Sequence, residues 1–220
     1  MNLTTLIETF RNLADDTEMP YLWTDQEIIL FLNEAEAEAA TRSSLLVESI
    51  DPDLCSIAVL ADTEFYETNP SIIELRRVKL DSTLLVRSSF SQLDAISEAW
   101  ETETGTPTKY VQTLKGIRLY PIPEVNHTLS LTVVRLPVPM TEEGPEIPTS
   151  FHAALLDWAL YLAYSKRDVD VVVGADTFAK RFEQTFGPAQ TANMRRQQLE
   201  QAPIEKQQIE KESASRPTWV

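Results

Sequence analysis

The sequence predicts an α+β fold: a helical bundle that carries an inserted antiparallel β-rich region and ends in an extended C-terminal tail. Three observations predict it. Apolar residues recur at helical spacing toward both ends of the chain, they alternate with period two in the middle, and the last stretch holds too few of them to order itself. Residues 1–50 therefore read as the N-terminal helices of the bundle and 51–140 as the β-rich insertion, with a short helix near 91–100. Residues 147–202 read as the C-terminal helices and 203–220 as the tail arm. No internal repeat is visible.

Leu3, Leu6, Ile7, Phe10 and Leu13 make one helical face, which should end near Asp15 or Asp16 ahead of the break at Pro20. Thr24 opens the next helix. In the run TDQE its hydroxyl can cap free N–H groups while Glu27 reaches back, a capping box. Ile28, Phe31, Leu32, Ala35 and Ala39 form its inward stripe, which leaves Glu34, Glu36 and Glu38 on a face read as solvated. Residues 1–50 hold ten acidic and two basic side chains, so a surface turned toward a channel is the other reading of that run.

From Asp51 the pattern changes to CSIAVLA, SIIELRRVKL, STLLVRS, KYVQTL, GIRLYP and TLSLTVVRL. In the last run Leu129, Leu131 and Val133 alternate with Thr128, Ser130 and Thr132, as in a strand with one buried and one wet face. Turn residues separate the runs, which makes an antiparallel meander the economical arrangement, interrupted by a helix over Ser91 to Trp100.

The next helix is apolar on two sides: Phe151, Leu155, Trp158 and Leu162 on one, Ala153, Leu156, Leu160 and Ala163 on the other. A helix of this kind must be covered twice, so it is the central packing element, with Ala153, Ala154, Ala159 and Ala163 permitting close approach. Ala175, Phe178, Ala179, Phe182 and Phe186 continue helical spacing to Gly187-Pro188, and a polar helix is expected from Gln190 to Gln201. The tail APIEKQQIEKESASRPTWV is polar but finishes in Trp219-Val220, an aromatic anchor suited to a partner's pocket.

Composition excludes several classes. With 34 acidic and 19 basic residues the formal net charge is -15, which repels phosphate backbones and anionic membranes. A single cysteine, Cys55, cannot close an intramolecular disulfide and reads as a small buried apolar residue. The start MNLTTLIETFRNLADD lacks the basic leader and apolar run of a secretion signal. Phe151 to Tyr164 is shorter than the roughly 20 residues a bilayer requires and contains His152 and Asp157. Five glycines stand apart at Gly105, Gly116, Gly144, Gly174 and Gly187, so no phosphate-cradling loop can form.

Little in the chain suggests catalysis. Neither histidine, His127 or His152, has the neighbours of a zinc site, and His152 reads as a capping or packing residue. No G-x-S-x-G elbow is present. Neither a catalytic residue, nor a cofactor-binding residue, nor a metal ligand is assigned. The alternative that the composition leaves is a metal-dependent nuclease or hydrolase using Asp62, Glu64 and Asp81, with Glu74 and Lys79 nearby. A monomeric acidic regulator that mimics DNA charge is another.

GTPTKYV, GIRLYPIP, TLSLTVVRLPVP and EIPTSFHAALLDWALYLAY follow one another in an order that resembles the head-to-tail adaptor (connector) proteins of tailed bacteriophages, in particular the helical adaptors below the portal ring. The matching residues are Gly105, Pro107 and Tyr110; Leu119, Tyr120, Pro121 and Pro123; Ile147, Pro148, His152 and Leu155. The resemblance implies a non-enzymatic virion protein in the neck between head and tail, made in the host cytoplasm. Copies would form a ring, usually of twelve, docked on the portal protein and receiving tail or nozzle proteins, while DNA passes without specific binding. C-terminal segments of such proteins reach portal or neighbouring subunits, which makes Arg195, Arg196, Ile204, Ile209, Trp219 and Val220 the candidate partner-binding residues. Packing acidic copies side by side requires apolar or cross-charged contacts, and for the latter Arg76, Arg77, Lys79, Arg87, Arg195 and Arg196 are the candidate cations.

Overall fold

The structure is a computed structural model that describes residues 1–113, 115–166 and 175–189. Two compact units divide it. One comprises Met1–Val47 and Val134–Ala189, and the other contains Glu48–Val133.

In the first unit, α1 (Leu3–Leu13) starts where the Asn2 side chain accepts the Thr5 N–H at 2.9 Å, and it buries Leu6 and Phe10. Left-handed backbone at Asp15 (φ 54°) turns the chain away from the helix. The capping box forms as the sequence predicts. Glu27 N–H donates to Thr24 Oγ1 and Thr24 N–H donates to Glu27 Oε2, opening α2 (Asp25–Ser43). A 3-10 turn (Thr149–Phe151) leads into α5 (His152–Ser165), and α6 is Ala175–Phe186. The double covering predicted for α5 is present. Leu156, Ala159, Leu160 and Ala163 pack with Leu6, Phe10, Ile28 and Leu32, while Ala154 and Leu155 pack with Ala35, Ala39, Phe182 and Phe186. Ala153 departs from prediction: it is exposed, because the covering elements leave that edge of the helix to solvent.

Glu36 also departs from prediction. Placed by periodicity on the wet face of α2, it is 1% exposed. The segment before α5 folds over it, and the carboxylate accepts the Ile147 N–H at 3.0 Å while its second oxygen has no hydrogen-bond partner among the described residues. Burial pushes its pKa up, opposed by the backbone N–H groups of Ile147 and Glu146. A folded-state pKa above the unfolded value means that stability is full below the ordinary carboxylate range and declines as pH rises through the raised value. Glu36→Gln, which keeps the acceptor and removes the charge, is therefore expected to raise the melting temperature at pH 7 and to flatten its decline above about pH 4. Glu36→Ala should lower it, by about 1–3 kcal/mol of stability, because the Ile147 N–H loses its acceptor. Thermal melts of both variants at pH 4, 5.5 and 7 check this.

The second unit is built from short strands. These are β1 (Val47–Glu48, at the point where the chain passes from one unit to the other), β2 (Ser56–Val59), β3 (Phe65–Glu67), β4 (Ile72–Leu80), β5 (Thr83–Leu84) and β6 (Val86–Arg87). They continue as β7 (Thr104–Gly105), β8 (Lys109–Gln112), β9 (Gly116–Tyr120), β10 (Ile122–Pro123) and β11 (His127–Arg135). A four-residue helix, α3 (Pro52–Cys55), precedes β2, and α4 (Phe90–Asp94) follows β6.

The strands do not form the predicted meander. One sheet has the order β1-β11-β4-β5 with β2 also on β11, a second has the order β3-β9-β8-β6, and β10 pairs with β7. Most pairings are antiparallel, but β6–β8 and β10–β7 are parallel. Parallel neighbours need a crossover, and α4 with the turns after it supplies the one between β6 and β8. That helix is shorter than predicted. Ser89 and Gln92 form its capping box, yet it ends at Asp94, whose carboxylate accepts the Trp100 indole N–H at 2.7 Å. Trp100 thus folds back on Leu93, Val111 and Tyr120 instead of extending the helix. Leu129, Leu131 and Val133 enter the sheet core with Leu75, Val78, Leu80, Tyr110 and Ile117, as alternation predicts. Gly116 is required where β9 meets β3, since a Cβ there would lie 2.1 Å from the Tyr66 carbonyl oxygen.

Candidate interaction surfaces

The motif residues that suggested a family do structural work. Gly105 stands opposite Pro123 in the β7–β10 pair, and its φ of 153° favours glycine. Tyr110 is buried, and the Tyr120 hydroxyl donates to Glu103 Oε2 at 2.6 Å. The Tyr120–Pro121 bond is cis. His152 is a tie, in line with the packing role read from the sequence. Its Nε2 donates to the Ile147 carbonyl at 3.0 Å, which leaves Nδ1 to accept from the Met1 amine at 3.0 Å. Burial holds the imidazole pKa below its usual value, which suits that neutral tautomer.

Two of the three acidic residues considered for metal chemistry, Glu64 and Asp81, have their carboxylates engaged elsewhere. Asp62 lies in a left-handed turn (φ 57°) and its N–H donates to Pro123 O at 2.8 Å. Glu64 pairs with Arg118 at 2.5 Å. Asp81 accepts the Thr128 N–H at 3.0 Å and sits 2.7 Å from His127 Nδ1, contacts that hold its carboxyl below the usual range. Among the described residues no group of three or more His, Cys, Asp or Glu side chains could hold a metal ion. Cys55 is buried and free, and burial raises its thiol pKa.

Exposed chemistry is concentrated instead on surfaces. Of the cations expected to serve contacts between copies, Arg76 is taken up by the buried Glu74 at 3.2 Å. Arg77, Lys79 and Arg87 make no ion pair among the described residues. The candidate partner-binding residues Arg195, Arg196, Ile204, Ile209, Trp219 and Val220, and the helix expected over 190–201, lie outside the described residues. Among the described residues no helix is long and apolar enough to cross a membrane.

A family model described as SU10 adaptor protein matches residues 1–205. The chain belongs to the SU10 adaptor protein family. SU10 adaptor proteins are phage head-to-tail adaptors, so the chain is a structural component of a bacteriophage virion. The resemblance read from roughly residues 100–165 therefore extends over both units of this SU10 adaptor and on to residue 205. No curated protein matches the chain.

Proposed function

We propose that this SU10 adaptor assembles as a ring between portal and tail, extends the DNA channel, and presents the attachment site for tail components. The observation that carries the reading is the family match over residues 1–205, in a chain whose recognisable motifs all serve the fold. The charge of -15 supports the channel role, because phosphates slide past a surface that offers few cations to trap them. The same charge makes each copy repel the next, so assembly depends on specific contacts.

Adding the purified protein to its cognate portal should produce an extra ring in electron micrographs. Portal particles that stay bare, with both proteins folded, overturn the reading. The C-terminal arm acts in docking: deleting 203–220 is expected to leave the melting temperature within a degree or so while weakening ring formation. Paired thermal melts and portal-binding titrations measure the two effects separately. A large loss of stability would place the arm in the fold instead.

A further inference from the structure

One wet face of the second unit combines cations with exposed aliphatic side chains. In the β4–β5 pair Lys79 stands opposite Leu84, and the Leu85 N–H donates to Val78 O at 2.9 Å, which carries the register on and sets Val86 beside Arg77. Val78, Leu80 and Leu85 point into the core. Arg77, Lys79, Leu84 and Val86 therefore share the opposite face, where Leu84 is 56% and Val86 44% exposed. Val86 is in turn paired with Lys109 on β8. Unpaired cations grouped with aliphatic side chains stand out in so acidic a chain.

The first unit carries a surface of opposite charge and the same mixed character. The last residue of α1 and the connection to α2 expose Leu13, Met19, Tyr21 and Leu22, with Met19 81% exposed. Asp15 and Glu18 lie among them, exposed and without an ion pair among the described residues. This loop is held in shape from below. Asp16, 6% exposed, accepts the Leu22 N–H at 2.6 Å and pairs with Arg11 at 2.8 Å, and the Arg11 guanidinium lies 3.8 Å from the Tyr21 ring centre. A loop fixed in this way presents its side chains with little ordering cost on contact.

We propose that the β4–β6 face of one copy docks the Leu13–Leu22 loop of a second copy, with Asp15 and Glu18 against Arg77 and Lys79 and the aliphatic groups packed between them. This rests on the ring reading and says which surfaces make it. Two different patches meeting head to tail give a heterologous contact, the kind that propagates around a ring. Duplex DNA would satisfy the cations but leave Leu84 and Val86 exposed, which favours the loop as occupant.

A charge swap tests the contact. The face variant is Arg77→Glu with Lys79→Glu. The loop variant is Asp15→Asn with Glu18→Lys, asparagine being tolerant of the left-handed backbone at Asp15. All four positions are exposed or half-buried, so melting temperatures should stay near wild type. On cognate portal each variant alone should need about tenfold more protein to form the ring, and an equimolar mixture of the two should recover it. Wild-type rings with both variants equally competent would overturn the surface assignment while leaving the ring reading intact. If wild type adds no ring, the ring reading falls, and sedimentation of the same proteins at high concentration decides the contact on its own. Loss of short-duplex DNA binding in the face variant, with its ring unchanged, would assign the face to phosphate and overturn the proposal.

Discussion

Phe182→Ala is expected to destabilise the helical unit by about 3–5 kcal/mol, the cost of removing a fully buried ring from a core that can only partly collapse. Phe182 is 0% exposed, with its ring centre 4.6 Å from that of Trp158 and 4.7 Å from that of Phe186. The Arg42 guanidinium lies 5.1 Å from the same ring centre and donates to the Gly187 carbonyl just beyond α6. One aromatic ring thus secures α6 against α5. Hydrogen exchange should show α6 and the facing side of α5 losing protection together in the variant, while the sheet core of the other unit keeps its own. Protection lost evenly over both units would mean that the two cores do not respond separately.

Asp16→Ala should cost a similar amount, about 3–5 kcal/mol, for a different reason. The Asp16 side chain is 4% and that of Arg11 10% exposed, so truncation strands a charge that water cannot reach well. Asp25, 2.5 Å from the same guanidinium but 66% exposed, compensates only in part. Leu22 and Trp23 also lose the acceptor for their N–H groups. Asp16→Asn separates the two contributions, since the amide keeps one acceptor oxygen and gives up the charge. Urea titration should place it between wild type and Asp16→Ala. An Asp16→Ala protein as stable as wild type would show that the buried pair is replaceable by packing alone. The variant also bears on assembly, because the loop shaped by Asp16 is the one proposed to reach the neighbouring copy.

Legibility in the sequence followed the range of the forces involved. The Thr24–Glu27 capping box, the inward stripe of α2, most of those of α1 and α5 and the alternation of β11 were readable, because each depends on residues a few positions apart on one element, although Leu13 and Ala153, assigned to those stripes, are exposed. The fate of Glu36 was not, for nothing near it in sequence says that the chain before α5 will cover it. Nor was the length of α4, which Trp100 ends by turning back to bond Asp94. The interaction surfaces divide in the same way. Cations over residues 76–87 were visible as candidates, but a list of charges cannot tell that Glu74 occupies Arg76 while Arg77 and Lys79 make no ion pair among the described residues. The stretch from Leu13 to Leu22 was legible only as a helix end and a break at Pro20, whereas the exposure of its apolar side chains depends on Asp16, which binds the Leu22 N–H and Arg11.

Local periodicity, capping chemistry and the ordered motifs thus determined the α+β class, the central helix, the acidic character and the family. Strand order, the burial of Glu36 and the meeting of Arg77 and Lys79 with Leu84 and Val86 on one wet face were decided only when distant segments packed. The reason is that a side chain's secondary structure depends on its neighbours in the chain, whereas its exposure and its free charge depend on whatever the rest of the chain brings against it.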